Sequence, residues 1–220
     1  MDIKKNVIEV CHKIQTIQDK NQQVNIVAAT KYASVEQMKI LYDSGITKMG
    51  ENRADALLNK KRIIQSPVEW HFIGTLQSRK VKEIINEIDC LHSLDRISLA
   101  KEIEKQRKLP LKCFIQINTS GEETKKGLKP SELLTFLESL KSYSKIVIVG
   151  LMTMAPHTGD IQVIRSCFQK LKKLQQDLVC RDAKWASCNE LSMGMSNDYL
   201  IAMEEGATYL RLGSTLFKEQ

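Results

Sequence analysis

The chain has 220 residues, 42% of them hydrophobic and 27% charged, a balance that excludes a disordered chain and suits one large core, read here as a single domain over residues 1–220. The 33 basic residues exceed the 26 acidic ones to give +7, but the basic runs Lys60-Lys61-Arg62, Arg79-Lys80-Val81-Lys82 and Lys170-Leu171-Lys172-Lys173 fall on three different predicted helices. They read as solvated faces and not as a nucleic-acid surface. Cys11, Cys90, Cys113, Cys167, Cys180 and Cys188 show no Cys-x-x-Cys pair and no histidine spacing, so free thiols are expected, with neither a disulfide framework nor a metal site.

An amphipathic pattern over Asp2 to Asp19 opens the chain as a helix, with no apolar core and cleavage site behind it. Apolar runs bounded by turn residues then predict strands at Val24 to Lys31, Ile46 to Glu51, Val68 to Gly74, Ile88 to Leu94, Leu111 to Asn118, Ile146 to Met154, Glu190 to Gly194 and Thr208 to Ser214. Helical patterns alternate with them near Ser34 to Asp43, Arg53 to Ile64, Ser78 to Asn86, Asp95 to Arg107, Pro130 to Lys141, Asp160 to Cys180 and Asn197 to Glu205. Ser34, Asp95 and Ser131 offer N-terminal capping chemistry, and Gly45 and Gly206 act as C-terminal breakers. No run approaches the roughly twenty apolar residues a bilayer requires. No membrane partner is expected, and a cytoplasmic location is.

Strict alternation of strand and helix demands parallel pairing with right-handed crossovers, and eight strands favour a closed (β/α)₈ TIM barrel over an open sheet. In such a barrel, binding residues gather where strands end, and phosphate groups dock after the seventh and eighth strands. Lys31 ends the first strand, Glu51 and Asn52 the second, and His71 and Gly74 lie near the end of the third. Because strands one and eight are neighbours in a barrel, Lys31 and the last strand's end meet at one mouth.

Three features there point to a phosphorylated aldehyde. A lysine at a buried strand's end can form an imine with the aldehyde of pyridoxal 5'-phosphate (PLP). Ser196, placed to cap the helix that follows Leu191-Ser192-Met193-Gly194-Met195, offers a hydroxyl and free backbone N–H groups to a phosphate, with Gly213 and Ser214 adding a close backbone approach and a second hydroxyl. Arg211, inside a short strand, must point into the barrel or into the helix layer, and either needs a partner. An arginine facing the ring nitrogen cannot readily take its proton, so PLP held there is a weak electron sink. Asn52 reads as a helix cap facing the mouth and His71 as a strand residue on the opposite side from Phe72. Tyr32, next to Lys31, is expected to point away from it. His12, His92 and His157 show no metal spacing.

Val27-Ala28-Ala29-Thr30-Lys31, Gly50-Glu51-Asn52, Trp70-His71-Phe72-Ile73-Gly74 with Leu76-Gln77 and Lys80, Asn118 through Lys126-Gly127, Gly150-Leu151-Met152, Leu191 to Ser196 with Asp198, and Arg211-Leu212-Gly213 together resemble the PLP homeostasis proteins. That family is similar to the N-terminal barrel of alanine racemases, PLP fold type III. The resemblance implies PLP as a Schiff base on Lys31, its phosphate near Ser196, Gly213 and Ser214, its ring nitrogen at Arg211, and further contacts from Asn52, His71 and Met193. The family often has proline where Ser34 stands, asparagine where Arg79 stands, and a glycine where Lys218 stands; the end at Gln220 leaves room for little or no eighth helix.

The function implied is vitamin B6 homeostasis: a non-catalytic carrier that holds PLP and can pass it to apo PLP-dependent enzymes. The alternative is a single-domain amino-acid racemase. Racemisation needs an acid/base group on each face of the substrate carbanion, and Lys31 serves one. No second base is visible, so no catalytic residue is assigned and a monomer is expected.

Overall fold

The computed structural model describes residues 2–18, 22–122, 124–181 and 188–219. Helix α1 (Ile3–Ile17) precedes a repeated strand and helix order: β1 (Asn25–Ala29), α2 (Val35–Asp43), β2 (Lys48–Glu51), α3 (Ala54–Ile63), β3 (Glu69–Phe72), α4 (Val81–Ile84), β4 (Cys90–Leu94), α5 (Ile97–Gln106), β5 (Leu111–Gln116), α6 (Leu133–Ser139), β6 (Ile146–Met152), α7 (Ile161–Arg181), β7 (Glu190–Met195), α8 (Tyr199–Glu204), β8 (Tyr209–Leu212) and α9 (Ser214–Phe217). The strands form a closed parallel barrel in sequence order. It closes where β1 pairs with β8, Val27 opposite Arg211 and Ala28 opposite Leu212. This is the expected (β/α)₈ architecture with its extra N-terminal helix.

Alternation along each strand sorts side chains into two compartments. Phe72, Leu91, Leu191, Leu210 and Leu212 turn outward and pack with Met38, Leu41, Leu57, Leu99 and Phe168 of the helices in one continuous apolar layer. Each such buried side chain contributes about 1.5–3 kcal/mol. Among the described residues a second, small apolar group lies apart from that layer: Cys90, Phe114 and Met152, with Val149, Met154 and Tyr209 packed against it. His71, His92, Ser192 and Arg211 are buried polar side chains beside it. Gly150 lets β6 approach β7, since a Cβ there would lie 2.0 Å from the Glu190 carbonyl oxygen.

Ser34 caps α2 in a capping box with Gln37, and Gly45 and Gly206 end their helices with φ of +90° and +89°. Asp95 and Ser131 do not cap as expected. The Asp95 carboxylate accepts from the Arg96 guanidinium at 2.6 Å, and α5 starts without a side-chain cap. Ser131 lies inside a 3-10 turn, Pro130–Glu132, where Glu132 accepts from the Lys129 N–H at 2.7 Å. Lys60 also departs from the solvated reading of its basic run. Its ammonium reaches Glu51 at 2.7 Å and the Thr30 carbonyl at 2.6 Å, and Glu51 is fully buried. The chain's end is tied down by α1: buried Asn6 donates to the carbonyls of Leu216 and Lys218 at 3.1 and 3.0 Å. Cys90, Cys113, Cys167 and Cys188 are buried free thiols and Cys11 is half-buried; the Cys180 side chain lies outside the described residues. Among the described residues no helix is long and apolar enough to cross a membrane.

Candidate functional site

A cavity of about 880 Å³ opens at the C-terminal ends of the strands and is lined by Lys31, Ser196, Arg211, Gly213 and Ser214. Barrel closure brings together these five residues from the two ends of the chain, because β1 and β8 are hydrogen-bonded neighbours. β1 stops at Ala29, two residues short of Lys31. Thr30 still donates its N–H to the Gly50 carbonyl, then accepts from the Ala33 N–H, so Lys31 and Tyr32 occupy a turn. Strand alternation therefore does not apply to them. Tyr32 does not point away: the Lys31 ammonium sits 4.7 Å from its ring centroid, and Tyr32 is 89% exposed.

Ser196 also differs from its expected role. The helix after β7 starts at Tyr199 with Asp198 at its N-cap, and the Asp198 carboxylate accepts from the Met195 N–H at 2.6 Å. The Ser196 hydroxyl instead accepts from the N–H groups of Gly213 and Thr215 at 3.1 and 3.2 Å. It caps the turn into α9, and the Thr215 hydroxyl returns a bond to the Ser196 carbonyl at 3.3 Å. The oxygen-binding cradle is thus built by two loops, after β7 and after β8, not by one helix start. At Gly213 an added Cβ would meet Ala29 at 3.5 Å, an ordinary contact, so neighbouring protein atoms do not crowd this position.

Arg211 points into the barrel. It is 5% exposed, and donates to the Ser192 hydroxyl at 2.6 Å and to the Thr153 carbonyl at 2.9 Å. Burial pulls its pKa down to about 10, opposed by the Asp198 charge, which leaves it cationic at neutral pH. Below it lies His92, whose Nδ1 is 2.8 Å from the Ser192 hydroxyl and whose Nε2 is 2.8 Å from His71 Nδ1. His71 Nε2 stands 3.2 Å from Glu69 Oε1, off the alignment of a good hydrogen bond and with no other partner. Burial lowers the pKa of both histidines, that of His92 the more, with the neighbouring His71 and Arg211 charges adding to it. Glu69 is held down at about 2, first by the His71 contact and then by Lys48, whose ammonium is 3.3 Å away.

His71 is therefore buried in the barrel interior and connected to the mouth through other side chains, and it does not line the cavity. Asn52 does not reach the cavity either: it borders a separate groove with Arg53, Asp55 and Gln77, and α3 begins at Arg53 without a side-chain cap. Met193 is fully buried in the apolar layer outside the sheet, because it follows inward-facing Ser192 on β7. Sequence reasoning overlooked Ser192, His92 and Glu69. Their signal was the alternation that put His71 opposite Phe72, applied to β4 and β7. Spacing along the chain also does not register side chains that meet from adjacent strands: the polar side-chain atoms of His71, Cys90 and His92 all lie within 4.8 Å of one another. The facing nitrogens of the two histidines are engaged with each other at 2.8 Å.

The family described as alanine racemase, N-terminal domain, matches residues 6–220. The chain is 37% identical over 199 residues to a pyridoxal phosphate homeostasis protein of Aquifex aeolicus, covering 89% of this chain and 86% of that protein. It is 33% identical over 230 residues to one of Vibrio cholerae, covering 99% and 96%. Among solved structures, PipY of Synechococcus elongatus PCC7942 with PLP bound superposes with a TM-score of 0.82 at 26% identity, covering 98% of this chain and all of that one. An alanine racemase of Clostridium difficile shares the fold, with a TM-score of 0.78 at 14% identity over 57% of its own length.

Proposed function

The chain belongs to the alanine racemase N-terminal domain family and, within it, to the pyridoxal phosphate homeostasis proteins; from that premise we propose that it holds PLP on Lys31 as a non-catalytic carrier. The observation that carries this is the convergence of a lysine amine, an oxygen-binding turn and a buried guanidinium on one cavity. The residues fit the cofactor. The turn from Gly213 to Thr215 already holds an oxygen, the Ser196 hydroxyl, on two backbone N–H groups. Ser196, Gly213 and Ser214 would hold the phosphate, and Arg211 would face the ring nitrogen.

The chemistry the cofactor supplies when bound is a reactive aldehyde, kept as a Schiff base by a lysine amine. Arg211 donates and does not accept, so a ring nitrogen facing it would accept a hydrogen bond and stay unprotonated. That supports holding over turnover, since strong carbanion stabilisation needs a protonated ring. The phenol beside Lys31 is that of its own chain neighbour Tyr32, on the same turn and not across the cavity. Racemisation, which needs proton transfer on opposite faces, is therefore the weaker reading. A single-domain monomer that exchanges PLP with apo-enzymes completes the proposal.

Mixing the purified protein with PLP is expected to give a shifted absorbance band that borohydride reduction locks to the protein and that Lys31→Ala abolishes. A wild-type protein without such a band overturns the reading, and steady interconversion of amino-acid enantiomers by the loaded protein would replace carrier with racemase.

A further inference from the structure

The barrel interior contains more hydrogen-bonding side chains than the cavity needs. We propose that Arg211, Ser192, His92 and His71 form a one-way hydrogen-bond chain down the barrel, its far end facing the Glu69 carboxylate, in which His92 and His71 are positioning residues for the Arg211 guanidinium. Its direction follows from the donors available at each end.

Arginine only donates, so the Ser192 hydroxyl oxygen accepts from Arg211 at 2.6 Å. Its single proton is then free for His92 Nδ1 at 2.8 Å. A neutral His92 that accepts on Nδ1 carries its proton on Nε2 and donates to His71 Nδ1 at 2.8 Å. His71 in turn carries its proton on Nε2, which faces Glu69 Oε1 at 3.2 Å, and Lys48 keeps that carboxylate anionic. The reverse polarity fails at both ends. Ser192 would accept from His92 and Arg211 together, leaving its own proton with no other acceptor among the described residues. A bare His71 nitrogen would also face a carboxylate.

The charged and titratable groups around the pair are Glu69, Lys48, Asp89, Arg211, Cys90 and Tyr209. Phe114 stacks on His92 at 4.5 Å between ring centroids, and Tyr209 lies 6.0 Å from both histidine rings. Two consequences follow. Both imidazoles are locked as neutral Nε2–H tautomers, and Ser192 keeps its acceptor side turned to Arg211. The effect on a bound pyridine ring rests on the PLP reading above; the chain of hydrogen bonds does not.

The test uses histidine nitrogen NMR on the full-length protein without PLP. Two of the four histidines are expected to show Nε2–H tautomers that do not titrate between about pH 5 and about pH 8, and Ser192→Ala is expected to shift only the Nδ1 signal of one of them strongly. Assignment comes from His71→Gln and His92→Gln. A proton on Nδ1 of His92, or its ordinary titration, overturns the chain. In PLP-loaded protein, His92→Leu is expected to move the absorbance maximum and weaken PLP about tenfold, while His92→Gln, which can accept and donate at once, restores most of both; unchanged spectrum and affinity in His92→Leu overturn the positioning role. If the wild type takes up no PLP, the functional reading fails while the NMR result still decides the chain.

Discussion

The apolar layer outside the sheet and the polar interior of the barrel are built from alternate residues of the same strands, yet they obey different rules. Outside, Phe72, Leu91 and Leu210 meet the helices with nothing but carbon, and their stabilisation scales with buried area. Inside, His71, His92, Ser192 and Arg211 are equally buried but gain their place through directional bonds at 2.6–2.8 Å. Such bonds add little net stability, and leaving one unmade is costly. One compartment holds the barrel together and the other orients the site.

Damage to the apolar layer carries the largest expected cost. Phe168→Ala, a deletion in the apolar layer, is expected to cost about 3–5 kcal/mol in denaturant unfolding while leaving the absorbance of PLP on the folded fraction unchanged. A polar intrusion into that same layer gives the next effect. Lys60→Ala strands the fully buried Glu51, one of whose oxygens already lacks a partner, and is expected to cost about 3 kcal/mol or more, with Glu51→Gln in the same chain recovering part of it.

Acid titration sharpens the contrast further. The folded pKa of His71 and His92 lies below the unfolded value, so below about pH 6.5 the unfolded chain takes up protons that the folded barrel refuses. Stability is whole above that pH and falls below it by up to about 1.4 kcal/mol per pH unit for each histidine. Glu69, depressed to about 2, adds a loss in the same direction below its usual range. Thermal melts of His71→Gln and His92→Gln are expected to show a shallower slope between about pH 6.5 and about pH 5. At the rim, Tyr32→Phe is expected to change stability by less than about 0.5 kcal/mol, since the ring is exposed.

Much of the fold was legible because each element carries its own period. All eight strand positions, the capping box at Ser34 and the breakers at Gly45 and Gly206 are local patterns, and they stand where alternation and turn chemistry put them. Strand ends were less legible. β1 leaves the ladder at Ala29 and reaches Lys31 through a turn, so an alternation argument about Tyr32 ran two residues too far. Met193 lies in the same β7 run as Ser192, but its parity sends it outward.

The amino-acid order by itself determined the repeating strand and helix pattern, hence a barrel, and with it the meeting of Lys31, Arg211 and Gly213 at one end, because closure of eight parallel strands makes the first and last neighbours. Only the tertiary structure decided that Ser196 caps the turn after β8 and not its own helix, that Lys60 pairs with Glu51, and that His71, His92 and Ser192 line up beneath Arg211. Those contacts join side chains across the barrel or between separate loops. Their partners are set by strand register and closure, which no local period encodes.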